Sequence, residues 1–372
     1  MSKSFDVCIS GDGVVGRVLA LLLAKQRLKV ALVTQASDPR SIDIRAYALN
    51  TASKQLLELL RVCPDDSFVT SVQNMQVWGD AGGAVDFNAQ AARQDALTWV
   101  VDVPQLQAQL LQACGDQSLI EMVDTPTHAP LTIICEGQTS HSRHTLGLSW
   151  TRKTYAQKAI AARLESDIPH AGTARQWFGR HGEVLALLPM GGPLGNSLAL
   201  VWSVNDDRAA HLEHLPPEEF CTLLAAACQH SAGNFRLTSP CASWPLALGS
   251  ADRWVGQGWA LAGDAAHTVH PLAGQGLNLG LADAACLSQT LADRDYWRSI
   301  GDEKLLRRYE RTRKAEVAAV GAVTDGLQRL FAQTQPAWAT LRNWGMNGVA
   351  ASQPLKNWLV KRASGLPQSP TN

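Results

Sequence analysis

Two glycine clusters stand at opposite ends of this chain, each beside chemistry that a large anionic ligand needs. Gly11, Gly13 and Gly16 form a G-x-G-x-x-G turn, and the stretch from Gly263 to Leu281 reads GDAAHTVHPLAGQGLNLGL. Glycine tolerates positive φ and lets the backbone come close to a ligand, so both segments can bring N–H groups against phosphate or a ring carbonyl. Asp264 cannot bind phosphate, but it can accept hydrogen bonds from ribose or ribityl hydroxyls. Together the clusters fit a flavin nucleotide.

The elements around them have the right order. Phe5 to Ile9 reads as a strand, Gly11 to Gly16 as a turn, Val18 to Lys25 as a helix and Val30 to Val33 as a second strand. This is a β-α-β unit whose helix N-terminus, with its orphan N–H groups and partial positive charge, can face a diphosphate. Late in the chain, Trp259 to Ala262 reads as a short buried strand closed by Gly263 and Asp264. Pro271 then precedes Gly274, Gln275 and Gly276, and Leu277 to Leu291 is apolar at helical spacing. The free N–H groups of that helix start would stabilise negative charge near N1 and the C2 carbonyl of a reduced flavin.

Between the clusters, Gln76 to Trp78 and Val85 to Phe87 flank a glycine-rich turn and predict a hairpin. Tyr155 to Leu164, Val184 to Leu188 and Ser197 to Val204 are further strand candidates separated by Gly and Pro breaks. The order predicts an α/β fold: a Rossmann-like nucleotide domain (1–70, 98–150 and 250–300) with an inserted, mostly antiparallel sheet domain (71–97 and 151–249). Charged helices follow at 301–372.

Composition narrows the function classes. With 372 residues the chain exceeds the ~250 to 300 at which single cores usually stop growing. Lys plus Arg total 33, as do Asp plus Glu, so no global field favours nucleic acid or anionic lipid. The 8 cysteines form no Cys-x-x-Cys pair, and no metal site is expected. The start of the chain shows no signal-peptide pattern, and no apolar run approaches the ~18 residues of a membrane span; a cytoplasmic protein is expected, possible peripheral membrane contact aside. Trp344, Leu355, Trp358, Leu359 and Val360 mix with Lys356, Lys361 and Arg362 near the end. Such a basic amphipathic stretch lies on a membrane surface, or packs on its own protein or a twin subunit in a homodimer.

The late glycine segment resembles the second flavin-binding motif of class A flavoprotein monooxygenases, in detail that of their ubiquinone-biosynthesis hydroxylase branch. DIRAYALNTAS at 43–53, MQVW at 75–78, EVLALLPM at 183–190, LVWSV at 200–204, DGLQRLF at 325–331 and PLKNWLV at 354–360 agree in order. The resemblance implies FAD, with Gly11, Gly13 and Gly16 at its diphosphate and Asp264, after Gly263, on a ribityl hydroxyl. It puts Pro271, Gly274, Gln275, Gly276, Leu277 and Asn278 beside the isoalloxazine, and Arg45 near the cofactor. NAD(P)H would be a transient reductant and O2 would add at flavin C4a, forming a hydroperoxide that hydroxylates a polyprenylated phenol or quinol. An apolar pocket is expected around Leu187, Pro189, Met190 and Trp202. No catalytic base can be singled out. His267 and His270 flank the flavin loop, with a hydrogen-bonded loop role expected before a proton shuttle.

Several positions depart from the family pattern. The acidic residue that usually ends the second strand and binds the adenosine ribose is replaced by Thr34 and Gln35, which still hydrogen-bond without charge. Asp12 adds a carboxylate inside the phosphate turn, where it would repel the diphosphate. Asp102, Val103 and Pro104 stand where relatives carry Glu-Asn-Arg, and Glu136 replaces an Asp. Such losses motivate an alternative: a catalytically weak or inactive paralogue serving as an assembly or regulatory subunit for other ubiquinone-synthesis proteins.

Overall fold

The computed structural model describes residues 4–34, 43–80, 82–269, 275–333 and 335–366. Among these residues the strands form three sheets. The first is six-stranded, in the order 255–256, 259–261, 131–134, 7–10, 30–33 and 120–123. Val7–Ser10 sits at its centre, paired in parallel with Val30–Val33 and Leu131–Ile134. All four residues of Val7–Ser10 and of Val30–Val33 are buried, which is why each reads as a continuous apolar run rather than an alternation.

The helix α1 (Val14–Lys25) makes the crossover between those two strands, as the sequence predicts. It is apolar nearly all round, because it is covered on every side: by the sheet, by α3 (Val103–Gly115) and by a late helix described below. The helix α2 (Thr51–Leu59) is N-capped by Asn50, whose side chain accepts from the Ser53 N–H at 2.8 Å. The short α4 (His141–Thr145) follows strand Leu131–Ile134.

The nine-stranded sheet is mostly antiparallel and centred on the long strand Trp150–Ser166, which pairs with Ser197–Asn205 and Ala242–Ala251. The predicted hairpin exists as Asn74–Trp78 against Ala84–Asn88, with Gln76 opposite Asp86, and it joins this sheet at one edge. The predicted strand Val184–Pro189 also belongs to it, and Thr173–Phe178, Phe235–Leu237, Ala242–Ala251 and His267–Thr268 join it without having been expected. One face is covered by α5 (Asp206–Glu213) and α6 (Pro217–Ala227), with Leu185, Leu187, Leu200 and Trp202 packed against Phe220 and Leu224. The opposite face offers Leu188, Met190 and Ala199 to Val72 and Val100. These two belong to a third sheet, three-stranded, in the order 46–49, 98–102, 69–72.

The helix α7 (Gln275–Ala292) lies against α1 and α8 (Glu303–Ala332), and α9 (Pro336–Ala351) and α10 (Gln353–Ala363) follow. Arg342 on α9 grips Asp80 of the hairpin with two bonds of 2.6 and 3.0 Å, which anchors the late helices to the sheet. No described helix is long and apolar enough to cross a membrane.

Candidate functional site

The phosphate turn assigns each glycine a different task. Gly11 has φ +109°, and a Cβ there would stand 2.5 Å from the Cys135 carbonyl oxygen. A Cβ on Gly16 would lie 1.9 Å from the Gly11 oxygen, so that glycine lets α1 press onto the turn. Gly13 differs: a Cβ there would meet nothing within 4 Å among the described residues. It is also the N-cap of α1 with no side-chain cap, so the first N–H groups of the helix face an open surface.

The second cluster comes to the same place. Gly263 has φ +63° and packs on Val15, while a Cβ on Gly280 would lie 2.6 Å from Val15 Cγ2 and 3.5 Å from Gly263 Cα. Absence of side chains at 263 and 280 thus allows α1, α7 and the strand-end turn to meet. Asp264, next to Gly263, presents surface to solvent between these elements. The protein packed around it pushes its carboxyl up, with His267 opposing, Asp283 reinforcing and Arg45 opposing. Gln275 and Gly276 begin α7, and a Cβ on Gly276 would also meet nothing within 4 Å among the described residues. Leu277 is buried beside them.

The Asn278 side chain is engaged within the protein. Its Oδ1 accepts from the Asn50 N–H at 3.0 Å and its Nδ2 donates to the Ala48 carbonyl at 2.8 Å. The side chain is spent on tying the start of α7 to strand Ala46–Leu49 and α2, and only its backbone remains for a ligand. Arg45 likewise donates to Asp43 through two bonds of 2.8 and 2.7 Å. Its guanidinium still acts electrostatically on both Tyr47 and Asp264. Gln35, His270, Pro271 and Gly274 lie outside the described residues.

A buried charge network supports the strand-end turn, and the sequence reading missed its centre. Asp283 is 0% exposed. Its carboxylate accepts from the Gly263 N–H at 2.9 Å, the Arg313 Nε at 2.7 Å, and contacts His267 Nε2 at 2.6 Å. Burial alone would raise the Asp283 carboxyl, but His267 and Arg313 hold it below the usual carboxylate range. Trp254 stacks on His267 with centroids 4.9 Å apart. A signal was present: Asp283 continues the buried i, i+4, i+8 line Leu279, Asp283, Leu287 of an apolar helix, and a lone carboxylate there requires partners.

The departures from the family pattern resolve differently once partners are seen. Asp12 does not project a free charge into the turn; its Oδ2 accepts from Arg17 at 3.0 Å. The carboxylate read alone as a repulsive charge is thus one half of an ion pair. Glu136 accepts from the Ser142 N–H at 2.9 Å, the Ser140 hydroxyl at 2.8 Å and the Ser142 hydroxyl at 2.5 Å. Burial would raise its carboxyl, yet these bonds hold it low. The carboxylate thus braces the start of α4. Arg143 of that helix donates to the Ala265 carbonyl at 2.9 Å and lies over the Trp150 ring, which ties α4 to the strand-end turn. Asp102 N-caps α3, with Pro104 in the first helical turn where its missing N–H costs nothing, and pairs with Arg163 at 3.0 Å.

A cavity of about 1210 Å³ opens between the three-stranded sheet and the large sheet, with Trp99, Asp102, Arg163, His170, Met190 and Thr238 in its wall. Of the expected pocket residues, Met190 lines it. Leu187 and Trp202 do not: alternation turns them to the other face, where they are 0% and 2% exposed beneath α5 and α6. Pro189 is buried at the end of the same strand, paired with Leu198.

Comparison with known proteins agrees with this geometry. The family model described as an FAD binding domain matches residues 121–324. The ubiquinone hydroxylase UbiL of Rhodospirillum rubrum is 31% identical over 98% of this chain and 90% of its own length. The 3-demethoxyubiquinol 3-hydroxylase of Escherichia coli is 27% identical over 97% of this chain and 98% of its own. Among solved structures, Pseudomonas aeruginosa PqsL in complex with 2-aminobenzoylacetate superposes with a TM-score of 0.77 at 22% identity, covering 93% of this chain and all of that one. The chain belongs to the FAD-dependent monooxygenase family that includes the ubiquinone-biosynthesis hydroxylases.

Proposed function

We propose that this protein hydroxylates an aromatic ring of a polyprenylated phenol or quinol in ubiquinone biosynthesis, using FAD, NAD(P)H and O2. The observation that carries the reading is the meeting of the two glycine clusters through Val15, Gly263 and Gly280. It brings the strand-end turn that carries Asp264, and α7, against α1, whose start follows the phosphate turn. That donor set suits a dinucleotide: N–H groups for a diphosphate, Asp264 for a sugar hydroxyl, and the first turn of α7 for a ring carbonyl. Gly11, Gly13 and Gly16 would hold the diphosphate, with Gln275, Gly276, Leu277 and the Asn278 backbone beside the ring.

Bound FAD supplies the electron transfer from NAD(P)H to O2 and the insertion of one oxygen atom into the substrate. The chain's own residues supply position and field. The first turn of α7 offers partial positive charge to a reduced ring. Asp283, through the Gly263 N–H, fixes the turn from which Asp264 would reach a cofactor hydroxyl. The cavity bordered by Met190 and Trp99 is our choice for the substrate ring. The motive for a scaffold role weakens, because Asp12 and Glu136 are both partnered rather than loose charges in the groove. Purified protein should carry visible flavin absorbance or acquire it on adding FAD; a chain that stays colourless would overturn the reading.

For the polyprenyl tail, the reading includes contact with the membrane surface through α10. Trp358 and Leu355 are 54% and 39% exposed beside Lys356, Lys361 and Arg362, the pattern of an interfacial helix. Removing residues 353–372 should abolish binding to anionic liposomes, and unchanged binding would exclude this contact.

A further inference from the structure

Arg17 stands where a cation is electrostatically out of place. It lies in the first turn of α1, whose unsatisfied N–H groups already carry partial positive charge. It is also buried, at 8% exposure, and a buried guanidinium is costly unless its donors are met. They are met only in part. One terminal nitrogen donates to Asp12 at 3.0 Å and the other to the Gln107 carbonyl of α3 at 3.1 Å, with Gln107 Oε1 at 3.5 Å, while Nε is buried without a partner among the described residues.

The guanidinium therefore sits between the phosphate turn and α3, bonded to Asp12 of the one and Gln107 of the other. Arg17 lies in the positive first turn of α1, and Asp12 is the carboxylate it pairs with. The neighbouring α3 begins with Asp102, Val103 and Pro104 and brings no cation of its own. An arrangement with this surplus of donors over acceptors matches a ligand that carries more negative charge than one carboxylate, such as a diphosphate.

We infer that Arg17 is the cation that meets the cofactor diphosphate, and that Asp12 positions this guanidinium and competes with the diphosphate for it. The inference rests on the FAD reading and adds a residue-level cause for affinity. Asp12 then lowers affinity by occupying Arg17, not by facing the ligand unpaired.

The test is a titration of full-length protein freed of flavin, with FAD and separately with riboflavin, which lacks the diphosphate, followed by flavin fluorescence. Asp12→Asn should tighten FAD about tenfold and Arg17→Gln should weaken it about tenfold or more, the value of one charge-assisted bond. The double variant should behave like Arg17→Gln alone. Riboflavin affinity should not change in any of them. An Asp12→Asn protein that binds FAD no more tightly than wild type, or an Arg17→Gln protein that loses FAD and riboflavin equally, would overturn the assignment. If Arg17→Gln does not fold, Asp12→Asn against the two ligands decides the matter. Failure of the wild-type chain to bind FAD would instead sink the FAD reading together with this one.

Discussion

Replacing Asp283 with Ala should be among the most damaging single changes outside the glycine turns. The side chain is fully buried and holds three groups at once: the Gly263 N–H at 2.9 Å, His267 at 2.6 Å and Arg313 at 2.7 Å. Three charge-assisted bonds at about 1.5–3 kcal/mol each would sum to more than the loss expected, since bonds sharing one carboxylate are not additive. The controlling term is the buried Arg313 charge, 2% exposed at its side chain, left with Glu316 as its carboxylate partner. Breaking a buried pair in this way costs about 3–5 kcal/mol. Urea unfolding followed by tryptophan fluorescence can measure it, with Trp254 stacked on His267 as a local reporter. The same variant should bind FAD more weakly, because the Gly263 N–H loses its anchor beside Asp264. A stability loss below about 1 kcal/mol, the range of a surface pair, would refute the network as described.

Two glycines of the phosphate turn should separate fold from ligand. Gly16→Ala forces a Cβ to 1.9 Å from the Gly11 oxygen, so both stability and FAD binding should fall; Gly13→Ala meets nothing within 4 Å and should leave the melting temperature near wild type while weakening FAD. Equal melting temperatures for the two variants would contradict these roles. Acid should expose the carboxylates: Asp283 and Glu136 are both held below their ordinary values, so their stabilisation is present above the unfolded values of about 3.9 and 4.3 and is lost as pH falls through the lowered folded values. Unfolding free energy measured from neutral to acid pH should therefore fall less steeply in Glu136→Gln than in wild type; identical slopes would mean that the α4 brace carries no linkage.

Much of this site was legible because its signals are local. The turn at Gly11–Gly16 and the strand–helix–strand order around it follow from glycine spacing and apolar runs within some thirty residues. The hairpin at 74–88 follows from its turn residues. What was missed depends on partners distant in sequence or on a choice of face. Val184–Pro189 is apolar at nearly every position, so its run does not say which alternate side chains meet α5 and α6; Leu187 took that side and Leu188 and Met190 the other. Asp12 read alone is a repulsive charge, and only the fold shows that Arg17, five residues on, turns inward to it. The sheet formed by 46–49, 69–72 and 98–102 pairs segments up to about fifty residues apart, with no turn signal to announce it.

The central claim, oxygen insertion by a flavin held between the two glycine clusters, is tested most directly by isotope. Protein loaded with FAD and supplied with NAD(P)H, a prenylated phenol and heavy-isotope O2 should yield a hydroxylated product carrying one labelled oxygen by mass spectrometry, and none when FAD is withheld. Product labelled from water, or NAD(P)H oxidation with no ring-hydroxylated product, would contradict the account.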